Sequence, residues 1–211
     1  MQNIRITSIL VMLLAFFAFT ADVSAQCFKN KNPYGRGGRN SISLEIGYGL
    51  PLPMNPSNDA KFGDSKKFEA GLRYIPMGNN LGFRVYYSYL DFQDSKNLNP
   101  GHFKVNRFEV QGLYLLNDAF GMDNSGAFEL ESYIGLGAGI GKGETDSKDN
   151  MISGTIGLRP RILLDTERLH LYVDLSYNML LEQNFNYNGE ALPKKEAGSS
   201  AQLSVGLSYR L

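Results

Sequence analysis

The sequence of 211 residues contains no tryptophan, one cysteine and two histidines. A single cysteine excludes a disulfide framework and any thiolate metal cluster. His102 and His170 leave little material for a zinc site, and no cofactor is expected. Charge of one sign is also missing: 21 basic side chains stand against 21 acidic ones, a formal net charge of zero. A neutral chain without a basic block does not suit nucleic acid, because neutralising phosphates takes clustered Lys and Arg. With 43% hydrophobic residues the chain is too apolar to remain disordered.

The N-terminal 25 residues read as a secretory signal peptide. Arg5 is followed by an apolar run from about Ile9 to Phe19, and Val23-Ser24-Ala25 supplies a small-residue cleavage site before Gln26. The apolar run is short of the roughly 20 residues that a membrane-spanning helix requires. Cleavage between Ala25 and Gln26 also argues against lipidation of Cys27, since a lipidated cysteine follows a small residue. Residues 26–40 form a basic tail with Lys29, Lys31, Arg36 and Arg39 and no acid. Its Gly and Asn content predicts a flexible segment.

From Ser41 onward no 3.6-residue periodicity is sustained. Alternation with period two recurs eight times instead, as in Ile42, Leu44, Ile46, Tyr48, Leu50 and in Leu169, Leu171, Val173, Leu175, Tyr177, Met179, Leu181. Most runs match the roughly 9–11 residues with which a tilted strand crosses a bilayer. The sixth run contains Pro160, which removes one ladder hydrogen bond. Long connections at 51–66, 91–102, 142–150 and 183–200 alternate with shorter ones at 76–80, 117–126 and 165–168. Long loops at one end and short turns at the other form the pattern of an outer-membrane barrel. The expected fold is therefore all-β, an eight-stranded antiparallel up-and-down transmembrane β-barrel over residues 41–211.

Alternation alone also fits a soluble sandwich or a lipocalin-type barrel, whose apolar parity faces inward. The polar parity decides. It is rich in Gly and Ser and carries Glu45, Glu69, Arg73, Arg84, Glu109, Glu129, Glu131, Arg159, Arg161, Asp174 and Arg210. All eleven lysines read as tail, loop or strand-end residues. A solvated face would favour Lys, whereas an enclosed face favours Arg, whose planar fork pairs with carboxylates. Near-balance of charge is what a packed lumen requires, because an unpaired buried charge costs several kcal/mol. A slip of one residue would turn every charge to lipid. Each Arg at the midplane would then cost about 2–4 kcal/mol. Eight strands enclose only enough room for side chains, so no wide pore is expected.

Two registers follow. The tight turn at 165–168 predicts Leu164 opposite Leu169, and hence Arg159 opposite Asp174. Across the longer connection, Glu131 is expected opposite Arg161. Directly opposed Cβ atoms lie about 4.5–5.5 Å apart, within reach of a bidentate pair.

Catalytic and metal chemistry is sparse. His102 falls in an expected loop near Asp94 and Ser95. His170 points inward near one end of strand seven, and no Ser-His-acid spacing recurs. Glu144, Asp146 and Asp149 in GETDSKDN offer alternating oxygen ligands of the kind Ca²⁺ takes, but a solvated acidic loop explains them as well. GLGAGIGKGE resembles a phosphate loop in its glycines only, because strand alternation runs through it where a helix would be needed.

The leader, the eight alternating strands and the ending AQLSVGLSYRL resemble the small OmpA-like outer-membrane β-barrel family. The run FEAGLRYIPMGNNLGFRVYYSY is similar to the hairpin of the second and third strands in Bacteroidetes-type members. The resemblance implies a barrel without the periplasmic peptidoglycan-binding domain of larger members. It implies location in the outer membrane, contact with outer-membrane lipids, and an extracellular partner met through the loops. Leu203, Val205, Leu207, Tyr209 and Leu211 resemble the C-terminal signal read by the barrel assembly machinery, with Leu211 where Phe is usual. A structural or surface-interaction role without enzymatic activity is the expected function. A lipid-modifying enzyme, a small-molecule conduit and a hydrophobic-ligand binder are the alternatives.

Overall fold

The computed structural model describes residues 41–54, 64–76, 78–93, 102–122, 127–143, 148–164 and 168–211. The leader, the basic tail, Cys27 and the centres of several connections lie outside the described residues. The eight strands are β1 (Ser41–Pro53), β2 (Lys66–Ile75), β3 (Leu81–Gln93), β4 (His102–Leu115), β5 (Phe128–Lys142), β6 (Lys148–Leu163), β7 (Leu169–Phe185) and β8 (Ala191–Arg210). Each pairs antiparallel with the next, and β8 returns to β1, so the sheet is a closed barrel. The closing ladder runs from Ser43 opposite Arg210 to Pro53 opposite Ser200. Closure leaves no unpaired sheet edge along this ladder, which is what a barrel in lipid requires.

Alternation builds the two faces. On β1, Ile42, Leu44, Ile46, Tyr48, Leu50 and Leu52 point outward and are exposed, while Ser41, Ser43 and Glu45 between them are buried. At about 3.3 Å per residue these outward side chains cover about 33 Å of strand. At a tilt of about 40° that is roughly 25 Å along the axis, the height of a lipid-facing band. Aromatic side chains mark its edges. Towards one end Tyr48, Phe68 and Tyr89 are successive cross-strand neighbours, with the Tyr48 and Phe68 rings 5.0 Å apart. Towards the other, Tyr74 packs on Phe83 at 5.2 Å.

The inward face changes character along the axis. Its middle is polar and charged. Towards the end that carries the β7–β8 connection it becomes apolar, where Leu90, Phe92, Phe103, Val105, Met151, Leu180, Phe185 and Tyr187 form one buried cluster. The outward face changes in the opposite sense: beyond Phe108 and Val85 the same strands present Asn106, Lys104 and Asp91. The barrel is inside-out in its middle and has the sidedness of a water-soluble barrel at this end.

Three expectations change. Residues 183–200 do not form a loop. β7 and β8 continue as a ribbon, and 186–190 alone connect them. Apolar alternation lapses there because the ribbon stands outside the lipid band. β7 also carries a bulge after Leu180, with Glu182 at φ 62°, and a second register shift between Gln183 and Phe185 leaves extra residues on β8. The extra residue on β7 reverses parity: even-numbered residues up to Leu180 point inward, whereas beyond it Gln183, Phe185 and Tyr187 do. Finally, β5 and β6 pair with Glu129 opposite Arg161 and Glu131 opposite Arg159. Glu131 opposite Arg161 was the expected arrangement. The two differ by a slip of two residues, which keeps every side chain on its face, so alternation cannot choose between them. Across the tight β6–β7 connection the ladder holds Arg161 opposite Tyr172 and Leu163 opposite His170. That is the register in which Leu164 meets Leu169, whose carbonyl accepts from Leu164 N at 2.9 Å.

Candidate functional site: a charged lumen and its apolar cap

Every strand places alternate residues in the lumen, and eight strands bring charges from distant parts of the chain within hydrogen-bond reach. Glu45 of β1 is the hub. Its Oε2 lies 2.6 Å from Arg159 Nη1 and 3.1 Å from Arg84 Nη1. Arg161 Nη2 approaches its other oxygen at 3.7 Å. Arg159 Nε and Nη2 reach Asp174 Oδ2 at 2.7 and 2.6 Å. Tyr133 Oη donates to the same carboxylate at 2.8 and 2.9 Å. Arg73 crosses the lumen from β2 to Glu131 at 2.8 Å and to Glu129 at 3.1 Å. Arg84 also reaches Glu131 at 3.3 Å and donates to the Gln111 side-chain oxygen.

Two satellites flank this centre. Glu69 accepts from Lys67 Nζ at 2.6 Å, Tyr172 Oη at 2.9 Å and Ser204 Oγ at 3.0 Å. Glu109 accepts from Thr155 Oγ1 at 2.6 Å, Gln111 Nε2 at 2.9 Å and Ser153 Oγ at 3.0 Å, with Arg107 Nε at 3.4 Å. Lys67 and Arg107 were not among the lumen residues expected from sequence, yet both are fully buried. Lys67 is a strand-end residue, the second of β2, but its side chain enters the lumen, where no lysine was expected. The signal was present: 67 and 107 share the inward parity of 69 and 109. Both stand one residue before the apolar runs that mark their strands, Lys67 second in the ten-residue β2 and Arg107 within the fourteen-residue β4.

Within this centre and its two satellites the charges balance. Lys67, Arg73, Arg84, Arg107, Arg159 and Arg161 are matched by Glu45, Glu69, Glu109, Glu129, Glu131 and Asp174, all buried. Three tyrosine rings fill the gaps between guanidinium groups. Arg159 lies 4.2 Å from the Tyr172 ring, and Arg84 lies 4.7 Å from Tyr133 and 5.1 Å from Tyr86. Such stacking is favourable when the cation is desolvated. Glycine makes the room. A Cβ at Gly47 would sit 2.6 Å from both Tyr172 Oη and Glu69 Oε1, and one at Gly157 would strike the Tyr133 ring.

The remaining candidates are placed differently. Arg210 sits at the rim, its side chain 29% exposed and 4.0 Å from Glu129. His170 is buried in the lumen, and among the described residues neither ring nitrogen has a hydrogen-bond partner. His102 is not a loop residue: it begins β4, and its Nδ1 lies 3.1 Å from Asp91 Oδ1. Asp94 and Ser95 lie outside the described residues, as do Glu144 and Asp146. Asp149 is buried, and its two oxygens accept from Asn184 N at 2.5 Å and Asn184 Nδ2 at 2.7 Å. It clamps the β7 bulge and does not face solvent. Leu203, Val205, Leu207, Tyr209 and Leu211 all lie on the exposed outer face, and Leu211 N donates to Ile42 O at 2.9 Å. Ala25 and Gln26 lie outside the described residues.

An apolar outer band around a filled, charge-paired interior defines the class of small eight-stranded membrane β-barrels. Solved structures agree at the level of fold. Neisserial surface protein A is 16% identical, with a TM-score of 0.52 over 82% of this chain and 97% of its own. A major outer membrane protein from Thermus thermophilus is 14% identical, also at 0.52, over 82% of this chain and all of its own. No family model matches the sequence, and no curated protein matches it.

Proposed function

We propose that this chain is an outer-membrane β-barrel protein with a structural or surface-interaction role and no wide pore. The observation that carries the reading is the reversal of sidedness along the barrel axis. An apolar exterior around buried ion pairs is stable only where the surrounding medium is lipid. The leader at 1–25, cut between Ala25 and Gln26, would export the chain. The outward row Leu203, Val205, Leu207, Tyr209 and Leu211 would present itself to the barrel assembly machinery. The two neighbours named above, a surface protein and a major outer membrane protein, agree with this placement.

A lumen occupied by ion pairs and capped by aromatic side chains turns the binding capacity outward. The connections at 55–63 and 94–101 and the β7–β8 ribbon are the surface offered to an extracellular partner. The reading is non-enzymatic, so His102→Ala and His170→Ala should leave the lipid A profile of expressing cells unchanged.

The test is fractionation after expression in a Gram-negative host. The protein should enter the outer membrane, migrate heat-modifiably in gels and give a β-rich circular dichroism spectrum in detergent. A chain that stays soluble in the periplasm without detergent overturns the proposal. On intact cells, external protease should cut at 94–101 or 186–190 and spare 76–80 and 165–167; the reverse pattern would invert the orientation.

A further inference from the structure

At the short-turn end, the lumen presents hydrogen-bond donors that meet no acceptor. Among the described residues, His170 Nδ1 and Nε2, Arg161 Nε, Arg210 Nε and Ser41 Oγ have no hydrogen-bond partner. His170 and Arg161 are 2% and 1% exposed. Polar groups so deeply buried are rarely left unpaired. The unpartnered oxygens of Asn178, Gln183 and Gln202 stand towards the opposite end and cannot serve them. The facing wall at the short-turn end is Ile75, Leu113 and Leu115, all buried and apolar, so it supplies no side-chain acceptor.

Strand register brings these donors together. His170 of β7 is directly opposite Ser208 of β8, whose Oγ accepts from Arg161 Nη2 at 2.6 Å. Two residues along the same face of β8, Arg210 is opposite Ser43 of β1, and Ser41 shares the inward parity of Ser43. Arg210 reaches across the mouth to within 4.0 Å of Glu129, a carboxylate already held by Arg73 at 3.1 Å and Arg161 at 3.4 Å. Arg161, Glu129, Arg210 and Arg73 are the charges that act on His170. Arg210 is therefore a cation beyond the balanced set, and its 29% exposure marks the way in from solvent. Arg168 shares its rung, is exposed, and accepts from Arg210 N through its carbonyl at 2.8 Å. Among the described residues Arg168 makes no ion pair and Arg210 only the one with Glu129, so the carboxylate of Leu211 neutralises neither.

We infer that this end of the lumen binds a phosphate group between Arg210 and His170, with Arg161 Nε and Ser41 Oγ as further donors. The donors come from β1, β6, β7 and β8, and so from several sides. That suits a tetrahedral anion with an oxygen for each, where a carboxylate offers two oxygens in one plane. Bonds from guanidinium to phosphate are charge-assisted and strong. An anion at the mouth also relieves the repulsion between like charges opposed on a ladder, here Arg168 and Arg210. The phosphate belongs either to a soluble ion or ester or to a lipid headgroup at the rim, since the recognising chemistry is the same. The site rests on the closed barrel and is independent of any partner met through the loops.

The experiment uses the full chain folded in dodecyl maltoside micelles, a detergent without phosphate. The two histidines give two sets of imidazole proton signals, assigned with His102→Ala. Titration with inorganic phosphate at constant pH and ionic strength should move the His170 signal saturably and leave that of His102, at the opposite end, in place. Arg210→Gln should weaken binding about tenfold, the loss of one charge-assisted bond, and Arg168→Gln roughly threefold through the local potential. Lys194→Gln with Lys195→Gln, on the β7–β8 ribbon, serves as the control and should change it less than about twofold. Dimyristoyl phosphatidic acid added to the micelles separates the two sources. A His170 response to the lipid at lower concentration than to inorganic phosphate assigns a headgroup, and the opposite order assigns a soluble phosphate; each supports the site. A His170 signal that neither compound moves, equal movement of both histidines, the same movement with chloride alone, or undiminished affinity in a folded Arg210→Gln variant overturns it. Heat-modifiable migration reports the fold of every variant, and a parent that never folds in detergent counts against the barrel itself.

Discussion

The charged centre of the lumen and its apolar outer cap are built on the same inward parity of the same strands, yet their chemistry is opposite. Along β3, Arg84 and Ser88 give way to Leu90 and Phe92; along β4 the same change runs from Glu109 and Arg107 to Val105 and Phe103. The medium outside accounts for the difference. In lipid, the outer face takes the apolar residues, and the interior can hold ions because each is paired and hydrogen-bonded. Beyond the lipid, the outer face turns to Asn106 and Lys104, and the interior becomes the site of hydrophobic burial. The cap then covers the ion pairs on the side facing bulk water, which keeps their dielectric low and their attraction strong.

The largest way to break this contrast is to unpair the centre. Arg159→Ala leaves both Asp174 and the hub Glu45 without a main partner in a closed lumen, a loss of about 3–5 kcal/mol. A double-mutant cycle with Asp174→Ala, read by urea unfolding in detergent, should give a clear coupling energy; one near zero would mean that water screens the pair. Next is the cap. Phe103 is fully buried against Phe92, Phe185 and Tyr187. Phe103→Ala should cost about 3 kcal/mol through lost burial and a residual cavity. If the cap were a solvated mouth, the cost would fall well below that. A smaller effect sharpens the boundary between the two regions. Ile156→Arg, on the outer face of β6, should cost about 2 kcal/mol or more in a bilayer, whereas Asn150→Arg near the end of the same strand should cost under about 1 kcal/mol. Equal costs would remove the lipid boundary drawn between them.

Much of this was legible in the sequence, for a specific reason. Period-two alternation fixes which residues share a face, so Glu45, Arg84, Arg159 and Asp174 could be placed in one lumen before any register was known. The tight turn after Leu164 set the β6–β7 register, because a short connection leaves few ways to pair the strands. The connection at 143–147 does not constrain its strands in that way, and a two-residue slip left the β5–β6 pairing undetermined. Lys67 and Arg107 escaped notice for another reason: the apolar runs that mark their strands begin one residue later, at Phe68 and Phe108, whereas β2 starts at Lys66 and β4 at His102. The β7–β8 ribbon was hidden likewise. Pro193, Lys194, Lys195 and Glu196 show no apolar alternation, yet β8 begins at Ala191.

Phe185 and Tyr187 were the least legible part of the cap, because their inward turn depends on the bulge in β7. Read by parity through β7, Phe185 and Tyr187 belong outside with Tyr177 and Met179. The extra residue at the bulge reverses that parity and sends both rings inward, where the Phe92 and Tyr187 centroids lie 4.7 Å apart. Glu182 carries the cost as a non-glycine residue at φ 62°. That conformation is unfavourable for an L-residue by roughly 1–2 kcal/mol. Its ion pair with Lys195, 3.6 Å away and largely exposed, offsets little of this. Glu182→Gly should therefore keep the bulge and raise stability by up to about 1 kcal/mol, the strain relief less the extra entropy of an unfolded glycine. Glu182→Val should lower it by about 1 kcal/mol, since a β-branched side chain tolerates the left-handed region poorly. Urea midpoints in detergent measure both. If the two substitutions shift the midpoint in the same direction, the bulge is not held at Glu182, and the inward turn of Phe185 and Tyr187 needs another cause.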